Sequence, residues 1–188
     1  MPTKTVRNKS RYVAFFRGIN VGGNKIVPMA TLQQLFESLG FGNVKTLLNS
    51  GNVVFEGREK SEKDITSQIE HSFQEKFGFE SLTMVRSMKE IEEILEAEPF
   101  RNVKVEKKTR LYVTFLKDKT KSTLKLPYRS PKGDFQILKG IDRALFSVTG
   151  ETFHTLEAMA FLEEHFGKNI TTRNWNTVQK IANVKEKM

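Results

Sequence analysis

Apolar positions along residues 1–86 repeat one unit twice. Tyr12–Phe16 is a short aromatic and aliphatic run that predicts a buried strand. Met29, Leu32, Leu35, Phe36 and Leu39 then recur at helical spacing, and Pro28 is expected at the first helical position, where its missing N–H costs nothing. Gly40 falls where a left-handed helix end is needed, with Phe41 placed for the apolar contact of a Schellman motif. Val44–Leu48 and Asn52–Phe55 read as strands joined by the small residues of Asn49-Ser-Gly-Asn52, a tight hairpin turn. Ser61 with Asp64 resembles a capping box, Ile65, Ile69 and Phe73 follow on one helical face, and Gly78-Phe79 repeats the earlier stop before a strand at Leu82–Val85. The order is βαββαβ, the split arrangement of a ferredoxin-like subdomain. Ser87 and Glu90 cap one more helix, with Ile91, Ile94 and Leu95 on its apolar side, until Pro99 breaks it.

A polar, highly charged stretch from Pro99 to Arg110 marks a boundary. Beyond it Leu111–Leu116 is a strand, and Phe135–Leu138 and Leu145–Val148 form a hairpin around Gly140-Ile-Asp-Arg143. Thr155 is expected to cap a helix carrying Leu156, Met159, Phe161, Leu162 and Phe166. Thr172 is expected to cap a last helix with Trp175, Val178, Ile181 and Ala182 inward. The fold class is therefore α+β in two small subdomains. Residues 1–10 are a basic arm, 11–99 the ferredoxin-like subdomain, and 100–188 a smaller antiparallel sheet with C-terminal helices.

This topology brings two loops of unusual composition to one sheet edge. The loop Arg17-Gly-Ile-Asn-Val-Gly-Gly-Asn-Lys25 leaves the end of the first strand, and Asn49-Ser-Gly-Asn52 joins the second and third. The first helix also points its N-terminus there, adding free N–H groups and partial positive charge. Arg17, Asn20, Asn24, Lys25, Asn49, Ser50 and Asn52 are expected to line a cationic rim for a phosphate, carboxylate or base edge. Glycine and asparagine are equally ordinary turn residues, so pure turn chemistry is the competing account. Gly18 and Gly23 have Walker A spacing, but Asn24 and Lys25 stand where that motif needs Lys and Ser/Thr. At the other end of the chain Arg173, Asn174 and Asn176 are expected in the first turn of the last helix, where an anion is favoured, and to complete a cleft between the subdomains.

Composition narrows the alternatives. Without cysteine there is no disulfide framework, thiol nucleophile or thiolate metal site, and no apolar run approaches the length of a membrane span. The N-terminus lacks the apolar core of a signal peptide, so the expectation is a cytoplasmic protein with no membrane partner. His71, His154 and His165 have no second ligand at metal spacing, and no metal or cofactor is expected. Ser50 lacks the strand-to-helix elbow of a serine hydrolase. The net charge of +9 is uneven: between Lys104 and Lys132 ten Lys/Arg face only Glu106 and Asp118, while Glu90, Glu92, Glu93, Glu96 and Glu98 make Ser87–Glu98 acidic. Such a basic stretch is either a solvated surface or a polyanion contact.

The segments RGINVGGNKIVPM, LLNSGNVVF and TTRNWNTVQKI resemble three signatures of an uncharacterised family of small bacterial proteins, a domain-of-unknown-function family. The resemblance covers essentially the whole chain. It implies paired small α+β subdomains with no assigned activity, and it marks Arg17, Asn20, Ser50, Asn52, Arg173, Asn174, Trp175 and Asn176 as the residues of interest. Relatives often carry a Gly/Ser/Lys turn before the penultimate helix, where this chain has Gly150-Glu-Thr-Phe-His-Thr155, so an anion contact is not expected at that turn. The functional expectation is binding, with turnover left open, of a phosphorylated or other anionic small molecule. The alternative is a nucleic-acid module that stacks bases on Tyr12, Phe16 and Phe55 and uses the basic second half.

Overall fold

The computed structural model describes residues 9–23, 25–58, 60–119, 122–150 and 155–184. Asn24, His154 and most of the basic arm lie outside the described residues. The chain divides into two compact units, one running through Ile91 and taking in Asn183 and Val184, the other Glu92–Ala182. The division falls ahead of the Pro99 boundary read from the sequence.

The first unit contains β1 (Lys9–Phe16), α1 (Met29–Ser38), β2 (Gly42–Leu47), β3 (Asn52–Arg58), α2 (Glu62–Phe77), β4 (Thr83–Ser87) and the start of α3 (Met88–Glu96). Its sheet has the order β2-β3-β1-β4 with every neighbouring pair antiparallel, so β1 and β2 run parallel on either side of β3. The stop signals act as read. Phe41 N–H bonds to Phe36 O and Gly40 N–H to Glu37 O, the two hydrogen bonds of a Schellman motif, and the Phe36 and Phe41 rings meet at 5.8 Å. Ser61 Oγ accepts from Asp64 N at 3.2 Å, and Gly78 closes α2 at φ 75°. Ser87 and Glu90 exchange their capping bonds at the start of α3. Pro28 differs from expectation: at φ −62° and ψ 129° it is the N-cap of α1, one residue outside the helix.

One face of this sheet packs Tyr12, Ala14, Phe16, Val53 and Phe55 against Leu32, Leu35 and Phe36 of α1 and Ile65, Ile69 and Phe73 of α2. The Tyr12 and Phe55 rings stack at 5.7 Å and Phe16 lies 4.9 Å from Phe73. Val13, Phe15, Val54 and Met84, which alternate to the opposite face, are buried as well. The Arg11 guanidinium donates to the Val184 carbonyl, fastening the end of the described chain to β1. At the sheet edge the Thr83 N–H of β4 is taken by the Glu70 carboxylate of α2 at 2.9 Å.

The second unit contains β5 (Arg110–Leu116), β6 (Tyr128–Arg129), β7 (Phe135–Ile141), β8 (Ala144–Thr149), α4 (Thr155–Phe166), β9 (Ile170–Asn174) and α5 (Trp175–Ala182). Its sheet is β6-β7-β8-β5-β9, five strands against the four of the first. The expected smaller sheet gains β6 and β9. Leu116, Phe135, Ile137 and Leu145 pack against Ala158, Leu162 and Phe166 of α4, and Tyr128 stacks on Phe161 at 4.6 Å. Leu156, expected on the apolar side of α4, is 83% exposed.

The largest departure is at β9. Residues 170–174 were expected to lead into the last helix through a Thr172 cap, but they form an edge strand paired with β5 from Ile170↔Leu116 to Asn174↔Tyr112. Ile-Thr-Thr is β-branched and suits a pleated surface, and Thr172 Oγ1 meets Thr114 Oγ1 at 2.8 Å across the pair. The helix begins at Trp175, and its cap is Asn174, whose Oδ1 accepts from Asn176 N at 3.0 Å.

Candidate functional site

The two loops meet, as the strand order requires. Phe16 N–H at the end of β1 donates to Gly51 O at 2.8 Å, which brings the β2–β3 turn against the start of the first loop. Asn20 is the centre of the junction. Its Oδ1 accepts from Val27 N at 2.7 Å, its Nδ2 donates to Val27 O at 3.0 Å and to Asn49 O at 2.9 Å, and its own N–H donates to Lys25 O at 3.1 Å. Asn20 sits at φ 56°, a left-handed conformation that asparagine tolerates better than bulkier residues. Gly51 is required for two reasons. Its φ is 69°, and a Cβ there would lie 2.6 Å from Ile19 Cδ1 and 2.9 Å from Phe16 Cβ.

A third segment joins them. β4 lies beside β1 with Phe16 opposite Thr83, so the residues before β4 flank the first loop. Arg17 N–H donates to Leu82 O at 2.9 Å and Ser81 Oγ donates to Arg17 O at 2.9 Å. Lys25 Nζ reaches Glu80 O at 3.4 Å and lies 5.5 Å from the centre of the Phe79 ring. Residues 79–82 were not among the expected site residues, although the βαββαβ order already implies that β4 starts where β1 ends.

The expected site residues thus separate by role. Asn20 and Asn52 are braces: Asn52 is fully buried and donates through Nδ2 to Leu47 O at 3.0 Å and Ser50 Oγ at 2.9 Å. Arg17 is half-buried, whereas Lys25, Asn49 and Ser50 are exposed. The loops 17–28 and 48–51 contain no acidic residue. α1 starts two residues beyond Val27, with no side-chain cap and no acidic residue in its first turn. Its orphan N–H groups therefore begin beside the Asn20 junction.

Arg173, Asn174 and Asn176 belong to the second unit. Arg173 lies on β9 opposite Val113, its Nη1 bonding Thr171 Oγ1 at 2.9 Å and Thr172 O at 2.9 Å. Desolvation penalises the cation and lowers its pKa to about 10, below the ordinary arginine range. Asn174 is occupied as the α5 cap, and Asn176 is exposed within the helix. The expectation that these three occupy a helix first turn is corrected: only Asn176 is in the helix. Trp175 is half-buried and packs edge-on to Phe100 at 5.1 Å.

The alternative interface loses its stacking surface. Tyr12, Phe16 and Phe55 are at most 4% exposed, in the core beneath α1 and α2, and no base can reach their faces. The basic run is also broken up, since Lys104–Arg110 enter β5 and Lys117 and Lys119 leave it, roughly 20 Å apart along the strand. Among the described residues no cluster of His, Asp or Glu is arranged to hold a metal, and no helix is long and apolar enough to cross a membrane.

Residues 10–146 match the family described as protein of unknown function (DUF1697), and the chain belongs to it. Among solved structures it is similar to a conserved bacterial protein, SP0830 from Streptococcus pneumoniae, at 26% identity and a TM-score of 0.67, over 93% of this chain and 98% of that one. Comparison with curated proteins finds no match.

Proposed function

We propose that the loops of the first unit bind a small anionic molecule through a phosphate or carboxylate group. The observation that carries the reading is the Asn20–Asn49 bond, which joins two loops bearing Arg17 and Lys25 and no acid. Glu80 in the third segment offers Lys25 its main-chain carbonyl. Arg17 supplies a forked donor and Lys25 a point charge, while Asn49 and Ser50 stand exposed for further hydrogen bonds. The uncapped start of α1 adds N–H donors to the same edge. Asn20 and Asn52 preorganise the loops instead of touching the ligand. The proposal is one of binding, and it assigns no reaction.

The test is a thermal-shift screen of the full chain against inorganic phosphate, sugar phosphates, nucleotides and dicarboxylates, repeated on Arg17→Ala. At least one anion is expected to raise the melting temperature of the wild type. Arg17→Ala should bind it about tenfold or more weakly, the cost of a charged hydrogen bond of ~1.5–3 kcal/mol. If no anion stabilises the wild type more than Arg17→Ala, the reading fails.

A further inference from the structure

We infer that the anion held at these loops carries an apolar group on the same molecule, as a nucleoside phosphate or an alkyl or acyl phosphate does and a sugar phosphate does not. The inference rests on the anion-site reading of the same loops. Its own observation is independent of charge. Five large apolar side chains are exposed among the described residues, and three of them, Val21 at 67%, Ile26 at 69% and Leu48 at 52%, stand on the two loops.

Each is the chain neighbour of a residue in the hydrogen-bonded junction: Val21 follows Asn20, Ile26 lies between Lys25 and Val27, and Leu48 precedes Asn49. All three therefore lie one residue along the chain from the tethered junction. Turn chemistry does not ask for them. Leu48 has φ 57°, where asparagine or glycine fits with less strain, and its side chain is more than half exposed. The exposure of Leu48 is unfavourable unless something covers it. Scattered surface aliphatics need no explanation, but three on two tethered loops that carry Arg17 and Lys25 and no acid give those loops a mixed character.

A sugar phosphate would satisfy the cations and leave these side chains in water. An amphiphilic anion would cover both, its charged group on Arg17 and Lys25 and its apolar part against Val21, Ile26 and Leu48. Aliphatic side chains contribute desolvation without directional bonds, so a ring and a chain are equally served and the probes must separate them.

Three phosphate monoesters of like charge decide the matter by isothermal titration at one pH and ionic strength: ribose 5-phosphate, AMP and hexyl phosphate. AMP, hexyl phosphate or both should bind at least tenfold more tightly than ribose 5-phosphate, about 1.4 kcal/mol, and whichever gains identifies the apolar part as ring or chain. The gain should vanish in Ile26→Ser and Leu48→Asn, while ribose 5-phosphate affinity changes less than twofold. Equal affinity for all three, each weakened by Arg17→Ala, overturns this inference and leaves the anion site standing. A gain that survives both substitutions also overturns it, because the apolar contact is then elsewhere. Binding of none of the three overturns the inference together with the site. Both substitutions are at exposed positions, and melting temperatures close to wild type will confirm that each variant is folded.

Discussion

Replacing Asn20 tests the loop junction most directly. Its side chain makes three hydrogen bonds, to Val27 N, Val27 O and Asn49 O, at 2.7, 3.0 and 2.9 Å. Asn20→Gly removes all three while leaving the backbone at φ 56° accessible. At about 0.5–1.5 kcal/mol net per bond, with the exposed Asn49 contact at the low end, the loss sums to about 2–3 kcal/mol. The greater unfolded freedom of glycine adds up to ~1 kcal/mol. Asn20→Asp separates these contributions. It keeps an acceptor for Val27 N and the chain entropy, but loses both donations and sets a carboxylate against two carbonyls, for an expected ~1–2 kcal/mol. Urea unfolding measures the totals, and amide exchange at Val27 reads the individual bond. The buried Val27 N–H should lose protection in Asn20→Gly and keep it in Asn20→Asp. A cost below about 0.5 kcal/mol for Asn20→Gly, or equal Val27 protection in both variants, would refute Asn20 as the brace.

Two further outcomes are expected. Gly51→Ala combines a left-handed backbone with a Cβ 2.6 Å from Ile19 Cδ1, and should lower stability by about 2–4 kcal/mol in urea unfolding; a loss under ~1 kcal/mol would mean the turn relaxes freely. Arg173 has its folded pKa lowered to about 10, below the ordinary arginine range, so above pH 10 the unfolded chain holds more protons and the desolvation penalty is progressively relieved. The stability of the wild type relative to Arg173→Met should therefore rise between pH 9 and 11.5 by circular dichroism melts, and a flat or falling difference would show that the guanidinium is not penalised by burial.

The local periodicities were sufficient to read the first unit almost whole. Gly40-Phe41, Ser61 with Asp64, and Ser87 with Glu90 act within one or two helical turns of themselves, so their chemistry is written in adjacent residues and the caps form where read. Strand order followed from the βαββαβ repeat, and with it the meeting of the two loops. The region 170–176 shows the limit. Thr172, Arg173 and Asn174 satisfy a helix start as well as they satisfy an edge strand, and only β5, some sixty residues earlier, offers the register Thr114↔Thr172 that selects the strand. The partial burial of Arg173 follows from the same pairing and was not legible for the same reason. Asn20 and Asn52 were recognised as special residues but not as braces, since a carboxamide in a turn can serve a ligand or a carbonyl equally well. Its role is decided by which backbone groups the folded chain brings within 3 Å, here Val27, Asn49 and Leu47. What the sequence determined by itself was whatever neighbours along the chain could enforce. What only the tertiary structure decided was which partner, distant in the chain, claimed a group that local chemistry left available to several.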